Sequence, residues 1–401
     1  QNQTISDVIA GAAGKGLASI PVIDGGDGYI GPPLVEISGG GGQYATARAV
    51  VDPVTGKLTS IEVTSPGLNY TSAPSITLTG GGATRVAQLG TPVLADNVSG
   101  GLTKKGAGTL TLTGRNTYTG DTSVEVGTLE FNAPSGVSTD ANPYVYSGGA
   151  ITIGNGATLQ ISGVRYDFNQ DTFVFGSNGG GTLLNSSANF VNRANTFRTT
   201  GGARNLINAS GGFFNFDSGI NTFDVARGTD ATSDLTVNAV LANAGSVLKT
   251  GNGIMTLTAQ NTYLGGTIVN AGTLVLNDTS YDGNAVIKGE LTVNANATVV
   301  LHALSGGDTL GFNGGNNQVS RINLNGGLLD GYNLTGDGRQ HVWKIAGGVN
   351  LTGGQMRINS GVSSATAAKF WEWNGTAVNT FASANSSEIS GRIRIRADDG
   401  Y

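Results

Sequence analysis

Thirty residues of this chain occur twice. Leu102 to Phe131 reads LTKKGAGTLTLTGRNTYTGDTSVEVGTLEF and Val247 to Leu276 reads VLKTGNGIMTLTAQNTYLGGTIVNAGTLVL, aligned without gaps at an offset of 247 − 102 = 145 residues. Half of the positions are identical, among them Lys104/Lys249, Gly106/Gly251, Gly108/Gly253, Asn116/Asn261, Tyr118/Tyr263, Gly120/Gly265 and Gly127/Gly272. Within each copy, apolar residues alternate with Thr or another polar residue (Leu110, Leu112; Val124, Val126; Leu129, Phe131), which is the period of a strand, and glycines separate the alternating runs as turns. Strands this short cannot bury a face alone. They must stack on copies of themselves, which is the logic of a solenoid.

The same grammar recurs without the full motif in GGAITIGNGATLQISG (Gly148 to Gly163), GELTVNANATVVLHALSG (Gly289 to Gly306), SRINLNGGLLDGYNLTG (Ser320 to Gly336) and GGVNLTGGQMRINSG (Gly347 to Gly361). No helix of three turns is indicated anywhere. Composition agrees: 66 of 401 residues are Gly, 9 are Pro and 12% are charged. The glycine share is more than twice the roughly 7% of an average chain, yet it lacks the every-third spacing and abundant proline of collagen. With 38% hydrophobic residues the chain has surface to bury, so it is expected to fold.

The two thirty-residue segments resemble the autotransporter-associated β-strand repeat of bacterial passenger regions and related large surface proteins. That resemblance covers 60 of 401 residues and implies a right-handed parallel β-helix displayed outside the cell. No run of alternating membrane-barrel strands precedes Tyr401, so the resemblance reaches the passenger and not a barrel. The fold expected is all-β: a β-solenoid over 99–385 with a small all-β module before it.

The first hundred residues follow another pattern. GDGYIGPPLVEISGGG (Gly26 to Gly41) realigns with GLNYTSAPSITLTGGG (Gly67 to Gly82) at an offset of 41, and ATARAVVDPVTGKLTSIEVTS between them reads as a hairpin turning near Asp52 to Gly56. This predicts a duplicated Gly/Tyr-rich module over 20–98, preceded by a segment 1–19 and balanced at the other end by a strand over 386–401. Both terminal segments carry apolar residues with no evident partner: Ile5, Val8 and Ile9 at one end, and Ile389, Ile393 and Ile395 at the other. A strand with one apolar face needs a sheet to join, and these residues are the candidates for strand addition to a neighbouring subunit.

Candidates for chemistry are sparse. Asp24 and Asp27 lie in a Gly-rich turn, Asp167 and Asp171 flank Asn169, and Asp398 and Asp399 sit at the tail; acidic residues in such turns usually bond the local backbone. His302 and His341 lie near no nucleophile motif. The Gly runs lack the Lys and helix signal of a phosphate loop. Trp371 and Trp373 are read as a cap on the solenoid core, with a sugar-stacking platform as the alternative. The repeated motif residues, Gly106, Gly108, Asn116, Tyr118, Gly120, Gly251, Gly253, Asn261, Tyr263 and Gly265, are assigned structural roles.

A net charge of −5 with no Lys/Arg run argues against nucleic acid as a partner, and no stretch reaches the roughly 18 apolar residues of a membrane span. No cysteine is present, so thiolate metal sites and disulfides are excluded; no cofactor and no metal are expected. The reading is of a non-enzymatic extracellular structural protein. It is a cell-surface β-solenoid subunit assembling with itself head to tail into a fibre, with an adhesive role toward surface glycans or other cells; the rivals are a monomeric adhesin passenger and a polysaccharide lyase or hydrolase on the same fold.

Overall fold

Alternating Leu and Thr segments separated by glycine turns bury their apolar faces against one another in the computed structural model of the chain. The structure describes residues 1–134, 144–146, 148–163, 165–176, 178–186, 190–278, 283–303, 309–311, 318–332, 341–345, 348–359, 369–374, 377–390 and 392–396. Among them there is no helix.

The chain divides into two compact units, one made of 1–8, 101–116 and 120–401, the other of 9–100 with 117–119. The larger is a parallel β-solenoid. One face is a 13-stranded sheet that begins with Gln3–Ile5 and ends with Glu388–Ile389; a second, of 12 strands, runs from Leu102–Lys104 to Val378–Thr380. A third side is formed by five strands from Tyr144–Val145 to Leu241–Ala242, and farther along by His341–Ile345, Lys369–Asn374 and Arg392–Arg396. Successive rungs are 128 − 109 = 19 residues apart at Thr109/Thr128 and 158 − 128 = 30 apart at Thr128/Thr158, so turn length varies while register is kept.

Register is kept because slipping by one residue would turn the apolar row outward. On the first face, Leu129, Leu159, Leu183, Ile207, Val237, Leu257, Leu276 and Leu301 stack in one inward row, each 0% or 1% exposed. On the second, Phe173, Phe197 and Phe223 stack with ring centroids 5.1 and 4.9 Å apart and planes within 9° and 16° of parallel. The core is therefore a set of like-on-like columns, and each rung contacts mainly the rungs before and after it.

The smaller unit is antiparallel. Lys15–Ser19 pairs with Val93–Asp96, Val22–Asp24 with Gln88–Leu89, and Gln43–Asp52 with Lys57–Leu68 as a long hairpin. Its turn is set by Asp52, whose carboxylate accepts from the Val54 amide and the Thr55 hydroxyl while its carbonyl accepts from Gly56. The two copies of the duplication pair with each other, Leu34–Ser38 antiparallel to Ser75–Thr79 with Ile37 opposite Ile76. Leu17, Ile20, Tyr29, Ala49, Leu58 and Ile61 form the core. This unit is an insertion: the solenoid sheet already holds Gln3–Ile5, and the chain takes it up again at 101. The module thus includes the Lys15–Ser19 strand, which no local pattern marks because its partner lies near the far end of the unit.

Candidate functional site

The residues shared by the two repeats gather at the solenoid's turns. Lys249 lies in an inward row of the second face, between Phe223 and Val269, where its side chain is fully buried. Its ammonium donates to the carbonyls of Thr250 (2.9 Å), Gly251 (2.7 Å) and Ala271 (3.0 Å). Lys104 repeats this on Lys105 (3.2 Å), Gly106 (2.6 Å) and Val126 (2.9 Å). Two of the carbonyls belong to the lysine's own turn and the third to the turn of the next coil, so each lysine fastens two stacked turns. Burial pushes the Lys249 ammonium down to about 8.

Glycine allows the turns to stack. Gly272 and Gly127 have φ of +68° and +74°, and a Cβ there would lie 2.5 and 2.6 Å from the carbonyl oxygens of Gly251 and Gly106. Gly108 and Gly253 likewise have no room for a Cβ, whereas the Gly106 position is open.

Asn261 and Tyr263 secure the opposite corner. Asn261 is fully buried: Oδ1 accepts from the Leu241 amide (2.8 Å), and Nδ2 donates to Ala259 (3.0 Å) and Val286 (2.8 Å), which ties three successive coils. Tyr263 is buried with its hydroxyl 2.5 Å from that of Thr267, and its pKa is raised by burial. Gly265 packs on Gly245 and on the Ser246 hydroxyl, which donates to the Gly265 carbonyl. In the first copy Tyr118 is buried, Asn116 donates its amide to Gly114, and Gly120 accepts from Gly149.

The terminal residues join the chain's own sheets. Ile5 pairs with Leu112, and its carbonyl accepts from Thr113. Val8 is exposed, and half-buried Ile9 accepts from Thr117. Ile389 pairs with Met356 at the end of the inward row Leu274, Val299, Leu329, Met356. Ile393 and Ile395 lie in register with Trp371 and Trp373. Trp371 is fully buried, so it is core and not a platform.

The carboxylate pairs are engaged. Arg85 donates to Asp24 (2.7 and 3.0 Å) and Asp27 (2.8 Å), and holds the Asp24 carboxyl near 2. Asp167 is buried between Arg165 (2.7 Å) and Arg193 (3.0 Å). Asp171 has no such cation among the described residues, and burial lifts it to about 7. His302 contacts Asn277 through Nδ1 (3.1 Å), and burial lowers its pKa; His341 opens the strand His341–Ile345. Asp398 and Asp399 lie outside the described residues. Among the described residues no group of three His, Asp or Glu is placed to hold a metal ion.

One recess on the outer surface of the first face lies near its middle. There the loop 227–234 rises beside the sheet and leaves a cleft of 380 Å³ over Thr236, Thr256, Val275 and Val300. Asp230 orders this loop, accepting from the Thr232 amide and hydroxyl and from the Ser233 amide. Asp234 is buried and accepts from Arg227, the Gly228 amide and the Ile254 amide.

The family profile described as the passenger-associated transport repeat matches residues 102–131 and 247–276, the two segments that carry the lysine and glycine locks. The chain carries two copies of this passenger-associated repeat, and its relatives are autotransporters. It is 28% identical to the adhesin BmaC autotransporter of Brucella suis biovar 1 over a 451-residue alignment, covering 88% of this chain and 13% of that protein. It is 31% identical to the probable autotransporter YfaL of Escherichia coli K12 over 214 residues, 51% of this chain and 16% of that one. The chain therefore spans less than a fifth of the length of either relative. No solved structure matches it significantly.

The lysine lock is the feature a reading of residue types overlooks. Its signal is present in the sequence: period 2 places Lys104 on the same strand face as Leu102, and Lys249 on that of Val247, so both lysines point inward.

Proposed function

We propose that this chain is a surface-exposed, adhesive segment of a passenger, with the solenoid as a rigid scaffold and no catalytic role. The observation that carries the reading is the similarity over 88% of the chain to a Brucella protein named as an adhesin. Engagement of Asp24, Asp27 and Asp167 by arginines supports it over a polysaccharide-cleaving enzyme, because each carboxylate is already committed to a cation. The test is adhesion of beads coated with the purified chain to host-cell and bacterial-surface preparations. Binding above that of albumin-coated beads supports the reading, and none on any surface refutes it.

Head-to-tail assembly is the finer reading. Gln3–Ile5 and Glu388–Ile389 are the two end rungs of one parallel sheet, so a second copy stacked in the same direction would continue it. Negative-stain microscopy over a concentration series tests this. Fibres with an axial repeat of one subunit support assembly, and discrete short particles at every concentration refute it.

A further inference from the structure

We propose that the cleft beside loop 227–234 binds an acidic oligosaccharide lying along the solenoid axis, with its carboxylate at Arg204. This rests on the adhesive reading above and names its ligand class.

The cleft floor consists of four consecutive rungs in register, Thr236, Thr256, Val275 and Val300. Neighbouring strands lie about 4.8 Å apart, so the floor is about 14 Å long and repeats at about the length of one sugar ring. Its 380 Å³ falls within the roughly 300–1,000 Å³ of small-ligand sites. Outward side chains on a solenoid face are ordinarily exposed, yet Thr236 and Thr256 are each only 9% exposed.

The hydrogen-bonding capacity left in the cleft identifies the occupant. Thr236 donates to Ser233, and Ser233 to the Leu235 carbonyl, which fixes the wall. Thr256, at the centre of the floor, has no hydrogen-bond partner among the described residues, so the hydroxyl of a nine-tenths-buried residue is left open to the cleft. Asn277 is oriented through Oδ1 by His302, leaving its Nδ2 as a donor at the rim. Arg204 lines the end of the cleft with its Nε 3.8 Å from Asp230, an ion pair loose enough to leave guanidinium donors open. Arg204 is the one Lys, Arg, Asp or Glu among the residues lining the cleft, so the charged group it presents is a cation.

A peptide would gain affinity from backbone pairing, but the strands under the cleft already pair with strands on both sides. Side-chain hydroxyl, amide, imidazole and guanidinium groups are offered, over a floor half threonine and half valine. A chain of sugar rings presents hydroxyls at its edges and C–H groups on its faces and so matches that floor; a carboxylate matches Arg204 by bidentate bonding.

The test uses the full chain, titrated by calorimetry with trigalacturonate, a hyaluronan tetrasaccharide and neutral cellotriose. Wild type should bind at least one acidic probe at least tenfold more tightly than cellotriose. Arg204→Gln should lose tenfold or more on that probe, and the isosteric Thr256→Val about fivefold. Thr158→Val, on the same face but outside the cleft, should change nothing. Circular dichroism and the unfolding midpoint identify any variant that has merely misfolded, and Thr256→Ser, which restores the hydroxyl, should recover binding. No binding to either acidic probe, tighter binding to cellotriose, or acidic binding indifferent to both cleft substitutions overturns the proposal. Beads coated with a non-binding cleft variant that still adhere would separate this site from the adhesive reading, leaving that reading intact.

Discussion

Replacing Lys249 by Met removes a buried ammonium but leaves its three carbonyl acceptors, on Thr250, Gly251 and Ala271, in place. Three stranded carbonyls at about 1–3 kcal/mol each represent roughly 3–9 kcal/mol lost. Against this, the variant no longer buries a charge. The fall of the lysine from 10.5 to about 8 corresponds to about 3 kcal/mol of burial penalty at neutral pH, which the substitution relieves. The balance is a net loss of about 3 kcal/mol, concentrated between two adjacent coils because a solenoid transmits stability through nearest neighbours. Hydrogen exchange read by mass spectrometry should show faster opening in peptides covering 246–276, with those covering 102–131 unchanged; Lys104→Met should invert the pattern. The sign of the pH dependence is fixed. Between pH 8 and 10.5 the unfolded chain holds the lysine proton and the folded chain has released it, so this group adds stability as pH rises through that window. The advantage of wild type over Lys249→Met should therefore be smallest below pH 8 and grow toward 10.5. Equal urea midpoints for the two proteins, with no local change in exchange, would refute the lock.

Gly272→Ala should cost upward of about 2 kcal/mol, combining a left-handed φ with a Cβ that meets the Gly251 carbonyl at 2.5 Å, while Gly106→Ala, with open space at that position, should cost only about 1 kcal/mol; urea unfolding of the pair checks this. Phe197→Ala breaks the column between Phe173 and Phe223 and should cost about 3–5 kcal/mol, with a lowered thermal midpoint as readout. Asp171, raised from 3.8 to about 7, keeps its proton longer in the folded chain. It therefore favours folding most below pH 4 and loses that contribution as pH rises to 7; Asp171→Asn should flatten this slope and be more stable than wild type at pH 8.

The sheets were legible where side chains alternate. LTLT and TLEF reveal both strand and inward face, and the offset of 145 residues exposes the coil logic, because a solenoid writes its fold as local repetition. The pairing of Lys15–Ser19 with Val93–Asp96 was not legible, since no local period encodes a partner some eighty residues away. Asn261 could be recognised as structural from its recurrence, but its reach to Leu241 and Val286 depends on which coils stack. Lys249 stood out in the sequence only by its recurrence: its charge alone points to solvent, while strand parity places it in the core. The cleft was invisible because it forms where one turn, 227–234, is longer than its neighbours and stands above a floor that by itself reads as ordinary strand.

The insertion after the first rung has a kinetic consequence. Leu110 pairs forward with Leu129, 19 residues away, but backward with Gln3, 110 − 3 = 107 residues away, so one contact in the solenoid has a far higher contact order than the rest. Closing that longer loop costs about 1.5 kcal/mol more than closing one of nineteen residues, (3/2)RT ln(107/19). The first rung is thus expected to dock after its sheet exists, as a latch on a finished edge. The interval between 8 and 101 then behaves as a cassette, because a domain exchanged there alters the timing of the latch and leaves the columns that build the rest of the solenoid untouched.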